Sequence, residues 1–154
     1  MNIIQLFGDL VLSQWIWSIT FGFSHYTFSF FMMLIILLFF TKDNFLSSFF
    51  ITTSSILCSF GIFFFIATIG LDYLCSWQYC PVFNAPLSLQ KSDVLTASLI
   101  LGGFVTLFQT LFFTLFSFFT SYRAFPYICV ALLSNCIAAL CSYGYILVTM
   151  RPIV

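Results

Sequence analysis

Residues 94–120 read VLTASLILGGFVTLFQTLFFTLFSFFT. No charge interrupts them, and between Asp93 and Arg123 lie 29 uncharged residues. A helix needs roughly 20 apolar residues to cross the hydrocarbon of a bilayer. This stretch therefore fits one span with its interfacial ends, and not two. In lipid such a span has to be helical, because an α-helix satisfies its own backbone N–H and C=O groups.

The same reading extends to both sides. There are 32 uncharged residues between Asp9 and Lys42, 28 between Asp43 and Asp72, and 27 between Arg123 and Arg151. Each gap holds one span, which places spans at about 16–40, 46–70, 94–120 and 125–148. The expected fold is all-α: a single integral membrane domain of four transmembrane helices over residues 1–154. Composition agrees, with 62% hydrophobic and only 5% charged residues, where a soluble domain carries about 25%. Mean hydropathy is +1.16.

Lys42, Asp43 and Asn44 form a tight turn between spans one and two. Ser121, Tyr122 and Arg123 form another between spans three and four, with Pro126 suited to the first turn of the last helix. The layout is two hairpins joined by a loop over 71–93, which holds the turn formers Pro81, Asn84, Pro86 and Ser88. Ahead of the first span, Ile3, Ile4, Phe7, Leu10 and Val11 recur at helical spacing. They read either as a short interfacial amphipathic helix over 2–12 or as an extension of span one. The N-terminus lacks the positive start and short apolar stretch of a signal peptide, so Met1 onward is expected to remain in the mature chain. Trp15, Trp17, Tyr73, Trp77, Tyr79, Tyr143 and Tyr145 all fall near the face that carries the termini, as an aromatic belt would. Lys42 and Arg123 on one face balance Lys91 and Arg151 on the other, so the positive-inside rule leaves orientation open.

The charges also limit the chemistry. No basic cluster exists, which argues against a nucleic-acid partner. No Asp, Glu, Lys or Arg falls inside a span, whereas proton- and ion-coupled transporters usually hold a buried ionisable residue. His25 is the only histidine. Without a second His it reads as a neutral side chain hydrogen-bonded to a neighbouring helix, not as a haem or metal ligand. Gln109 and Asn135 are the largest polar groups within spans, and each needs a partner on another helix. Ser134, Ala138 and Ser142 recur every fourth residue on span four, and Ser98 and Gly102 do so on span three. Small residues at this spacing let helix backbones approach closely. The cluster Thr52, Thr53, Ser54 and Ser55 either lines a polar cavity or back-bonds to its own helix.

Six cysteines are present. Cys75 and Cys80 lie in the loop as CSWQYC, close enough for a disulfide if the loop faces an oxidising compartment. Cys58, Cys129, Cys136 and Cys141 sit within spans, where packing is the ordinary role. Quinone-linked thiol oxidoreductases with four membrane helices are similar in helix count, but their Cys-x-x-Cys motif is absent here.

Trp77, Cys80 and the run Pro86-Leu87-Ser88-Leu89-Gln90, leading to Gly102 and Gly103, resemble part of claudin and peripheral-myelin-type proteins. The likeness is to the end of their first extracellular loop and the helix that follows. This loop is shorter, its cysteine spacing differs, and two helices precede it where that family has one.

The sequence thus points to a non-enzymatic structural or assembly subunit of a membrane complex. Such a subunit needs no cofactor, and its partners are the bilayer and either another membrane protein or a second copy. An oligomeric transporter or channel-like protein is the alternative, and a thiol-redox protein using the loop cysteines comes third. Thiol labelling in intact and permeabilised membranes separates the last from the others. A Cys75–Cys80 disulfide on the exoplasmic side keeps redox chemistry open, and free thiols facing the cytosol remove it.

Overall fold

The computed structural model describes residues 15–41, 44–76 and 91–150. They form α1 (Trp15–Phe40), α2 (Phe45–Ser76), α3 (Lys91–Phe119) and α4 (Ala124–Met150). All four contain stretches long and apolar enough to cross a membrane: Gly22–Phe40, Phe45–Phe65, Val94–Phe119 and Ala124–Thr149. The chain is a multi-pass α-helical membrane protein.

Local chemistry sets the helix ends. Thr41 closes α1, donating both its backbone N–H and its hydroxyl to the Leu37 carbonyl, at 3.0 and 2.7 Å. Asn44 opens α2: its carbonyl takes the Ser48 N–H at 3.0 Å, as an N-cap residue does. Pro126 sits in the first turn of α4, where a missing N–H costs nothing.

The loop expected over 71–93 is shorter at both ends, because α2 continues through Ser76 and α3 begins at Lys91. Residues 71–76 contain neither proline nor glycine, so nothing stops the helix where it leaves the hydrocarbon. At 32 residues α2 is about 48 Å long, against a hydrocarbon thickness of about 30 Å. Residues 2–12, Trp77, Tyr79, Cys80 and the loop prolines lie outside the described residues.

Connections of four residues, 41–44 and 120–123, force antiparallel neighbours. The helices stand as a ring in which α4 closes against α1. Packing is heaviest where α4 meets α3 and α1; α2 touches α1 and α3 more lightly, and the α1–α3 diagonal is slight. We call the end with the two short connections the turn face.

The inner face of α4 explains its central place. Tyr127, Val130, Ala131, Ser134, Asn135, Ala138, Ala139, Ser142 and Ile146 are all buried and recur at three- and four-residue spacing. Most are small, so α1 and α3 come close. Gly102 of α3 marks the tightest approach. A Cβ there would stand 3.4 Å from the Asn135 carbonyl oxygen, 3.4 Å from His25 Cε1 and 3.5 Å from Ala139 Cβ. The outer surface is the reverse of a soluble protein's: Phe119 is 86% exposed and Phe39 82%. Contiguous apolar surface on this scale is tolerable only in lipid.

Gly102→Val should lower the thermal unfolding midpoint in detergent, since overpacking a fitted contact costs about 1–3 kcal/mol. A Cβ on Gly103 meets nothing within 4 Å, so Gly103→Ala should leave the midpoint unchanged or slightly raised.

Candidate functional site

Two apolar clusters fill the bundle. One, towards the turn face, gathers around Met33, Leu37, Ile51, Phe113, Tyr127 and Val130. The other, towards the opposite end, gathers around Tyr26, Ile56, Val94, Leu101, Val105 and Ile146. Between them lies a polar layer to which every helix contributes one residue: Ser29, Ser55, Gln109 and Asn135, all fully buried.

These four stand at one height because they are equally far from the short connections. Ser29 is 11 residues before the end of α1 and Asn135 is 11 after the start of α4. Ser55 is 10 after the start of α2 and Gln109 is 10 before the end of α3. At 1.5 Å per residue this is about 15–17 Å from the turn face, close to the bilayer midplane.

The hydrogen bonds run in one direction. Ser29 Oγ donates to Asn135 Oδ1 at 2.7 Å. Asn135 Nδ2 donates to Gln109 Oε1 at 2.7 Å and to Thr106 Oγ1 at 3.1 Å. Gln109 Nε2 reaches Ser55 Oγ at 3.4 Å and Met33 Sδ at 3.6 Å. Both branches end on backbone carbonyls: Ser55 Oγ donates to Thr52 O at 3.0 Å, and Thr106 Oγ1 to Gly102 O at 2.8 Å. Both N–H groups of each amide are used. Chains of this kind polarise one another and strengthen cooperatively in a low dielectric.

Two smaller polar contacts lie beyond the layer, away from the turn face. Ser24 and Ser142 hydroxyls meet at 2.7 Å, joining α1 to α4. Tyr26 and Ser59 hydroxyls meet at 3.2 Å, joining α1 to α2. Of the small residues on α3 and α4, Ser142 makes this bond, while Ser98 and Ser134 donate to their own helices, at Val94 O and Ala131 O. Ala138 is buried without exposure.

The sequence expectation for His25 is a hydrogen bond to a neighbouring helix, and the side chain set to contribute one is Asn135 of α4. Its ring is fully buried, and neither nitrogen makes a hydrogen bond of good geometry. The imidazole is wedged where α1 meets Gly102, and the Asn135 amide close to it is already committed to Ser29, Gln109 and Thr106. Unpartnered hydroxyls also occur on α2, at Ser48, Thr52 and Thr53. The expectation that span cysteines pack inside also needs correction. Cys58, Cys129 and Cys136 are exposed and Cys141 is half-buried, all of them free. A thiol is apolar enough to face lipid, and the inner positions are taken by smaller or hydrogen-bonding residues. Cys75 lies within α2, but Cys80 falls outside the described residues, so their pairing remains an expectation. Among the described residues no three potential metal ligands gather.

Sequence reading singled out Gln109 and Asn135 but not Ser29 or Thr106, and treated Ser55 only as part of a hydroxyl cluster. Counting residues from the two short turns would have aligned Ser29 and Ser55 with the amides. On the outside, a groove of about 430 Å³ runs between α3 and α4, lined among others by Gly102, Gly103, Thr106, Thr110, Leu132 and Cys136. No family model, curated protein or solved structure matches the chain.

The layer is neutral, and its amides and hydroxyls bind helices to one another. A double-mutant cycle with Gln109→Leu and Asn135→Leu, read by reversible unfolding in mixed micelles, should give a coupling of about 0.6 kcal/mol and not above about 1.7. Asn135→Leu should be the costlier single change, because it strips partners from Ser29, Thr106 and Gln109 together.

Proposed function

We propose that the protein is a non-enzymatic structural or assembly subunit of a membrane complex. One observation carries this reading: the N–H groups of Gln109 and Asn135 are all spent on other side chains of the same chain. Polar groups that guide a solute must leave donors or acceptors free for it. Groups committed to one another build a rigid body, and a rigid body with an apolar exterior suits helix-to-helix assembly in lipid.

Where a partner would sit is suggested by the α3–α4 groove. Gly103 and Cys136 are exposed there, between Leu99, Leu107 and Leu132. Small residues flanked by leucines let another helix approach closely. The transporter or channel-like reading draws its support from the buried His25 and the unpartnered α2 hydroxyls.

Mild-detergent purification of a tagged chain at native expression level tests the assembly reading. A stoichiometric membrane-protein partner, or a defined homo-oligomer, is the expected result. Recovery as a lone monomer across several mild detergents would refute it.

A further inference from the structure

The inner face of α2 carries four buried hydroxyls, on Ser48, Thr52, Ser55 and Ser59. The two deeper ones are engaged, Ser55 with the polar layer and Ser59 with Tyr26. The two nearer the turn face are not. Ser48 Oγ and Thr52 Oγ1 are fully buried without a hydrogen-bond partner. They also differ from most helix hydroxyls in this protein. Thr27, Thr41, Ser98, Thr106, Thr110 and Thr149 each donate to the carbonyl four residues back. Ser48 and Thr52 do not.

An orphaned hydroxyl in a membrane interior is expensive, and lipid tails cannot satisfy it. At the level of Thr52 the packed neighbours Met33, Ile36, Leu37, Ile51 and Phe113 are apolar and offer it no partner. Water can satisfy it. Ser48 and Thr52 are one turn apart, a rise of about 6 Å, which a chain of two waters with bonds of about 2.8 Å spans. Thr52 and Ser55 are about 4.5 Å apart along the axis, within reach of a single bridging water. A buried water needs two or more polar partners, and this ladder of hydroxyls supplies them in succession.

We infer that the turn-face half of the bundle holds an aqueous half-channel. Water enters beside Ser47 and the Tyr122 hydroxyl, which meet at 3.3 Å at the mouth. It runs along Ser48 and Thr52 and stops at Ser55 and Gln109, where the hydrogen-bonded layer closes the interior. The lighter packing of α2 against its neighbours makes it the wall along which water is admitted. The half-channel does not depend on the assembly reading, because a scaffold subunit and a transport subunit can each hold internal water.

Water-edited solid-state NMR of the full chain in lipid bilayers tests this. Thr52 is decisive, lying about 10 Å from the turn face. Polarisation from water should build up several-fold faster at Thr52 than at Leu111 and Leu133, which lie at similar depth but face lipid. Equal rates would overturn the proposal. In Thr52→Val, a near-isosteric change, transfer to Ser55 should slow while transfer to Ser48 stays fast. If Ser55 polarises as before, water does not travel along α2 and the proposal fails.

Discussion

An amide in the middle of a bilayer has no water to fall back on, and the structure of this protein is organised around that constraint. Asn135 and Gln109 bring four N–H groups and two carbonyl oxygens to the midplane. Only other helices can satisfy them. Asn135 reaches α1 through Ser29 and α3 through Gln109 and Thr106, and Gln109 reaches α2 through Ser55. Each interhelical bond is worth only about 0.6 kcal/mol. Misplacing a helix, however, leaves several buried groups unpaired at once, so the layer specifies register more strongly than it adds stability. Gly102 serves the same end, since a side chain larger than a methyl group there would press on Asn135, His25 and Ala139.

The layer divides the interior into unequal halves. Away from the turn face, hydroxyls are paired across helices, Ser24 with Ser142 and Tyr26 with Ser59. Towards it, Ser48 and Thr52 line α2 unpaired. This asymmetry follows from the packing, because α4 binds α1 and α3 closely whereas α2 is held more loosely on both sides. Three helices thus pack closely against one another through α4, and the fourth more lightly. His25, lodged where α1 meets Gly102 of α3, has the Asn135 amide of α4 close by.

The exterior carries the other half of the argument. Phenylalanine makes up 24 of the residues, and much of it faces outward, with the most exposed rings near the short connections. Phe and Leu are exchangeable where the neighbour is an acyl chain. The interior shows the opposite selection, with small and hydroxyl-bearing residues where backbones approach. Three of the cysteines follow the exterior pattern, pointing to lipid instead of into the core.

Four spans, their hairpin order and the closeness of their ends could be read from the chain alone. Its eight charges leave four uncharged stretches of 27 to 32 residues, and hydrocarbon permits only helix across them. Gln109 and Asn135 stood out for a related reason: a large polar residue in an apolar run cannot be neutral in lipid. What hydropathy could not locate was the far end of α2, because an apolar helix need not stop where the membrane does. Tertiary structure alone decided which hydroxyls meet the amides. Ser29 and Thr106 look like any other serine or threonine in a span until depth and rotation bring them against Asn135. The same holds for His25, set against Gly102 and close to Asn135, and for Ser48 and Thr52, turned inward on α2. Pairing in a bundle depends on the height and azimuth of side chains on different helices, and neither quantity is carried by the local spacing of residues along one helix.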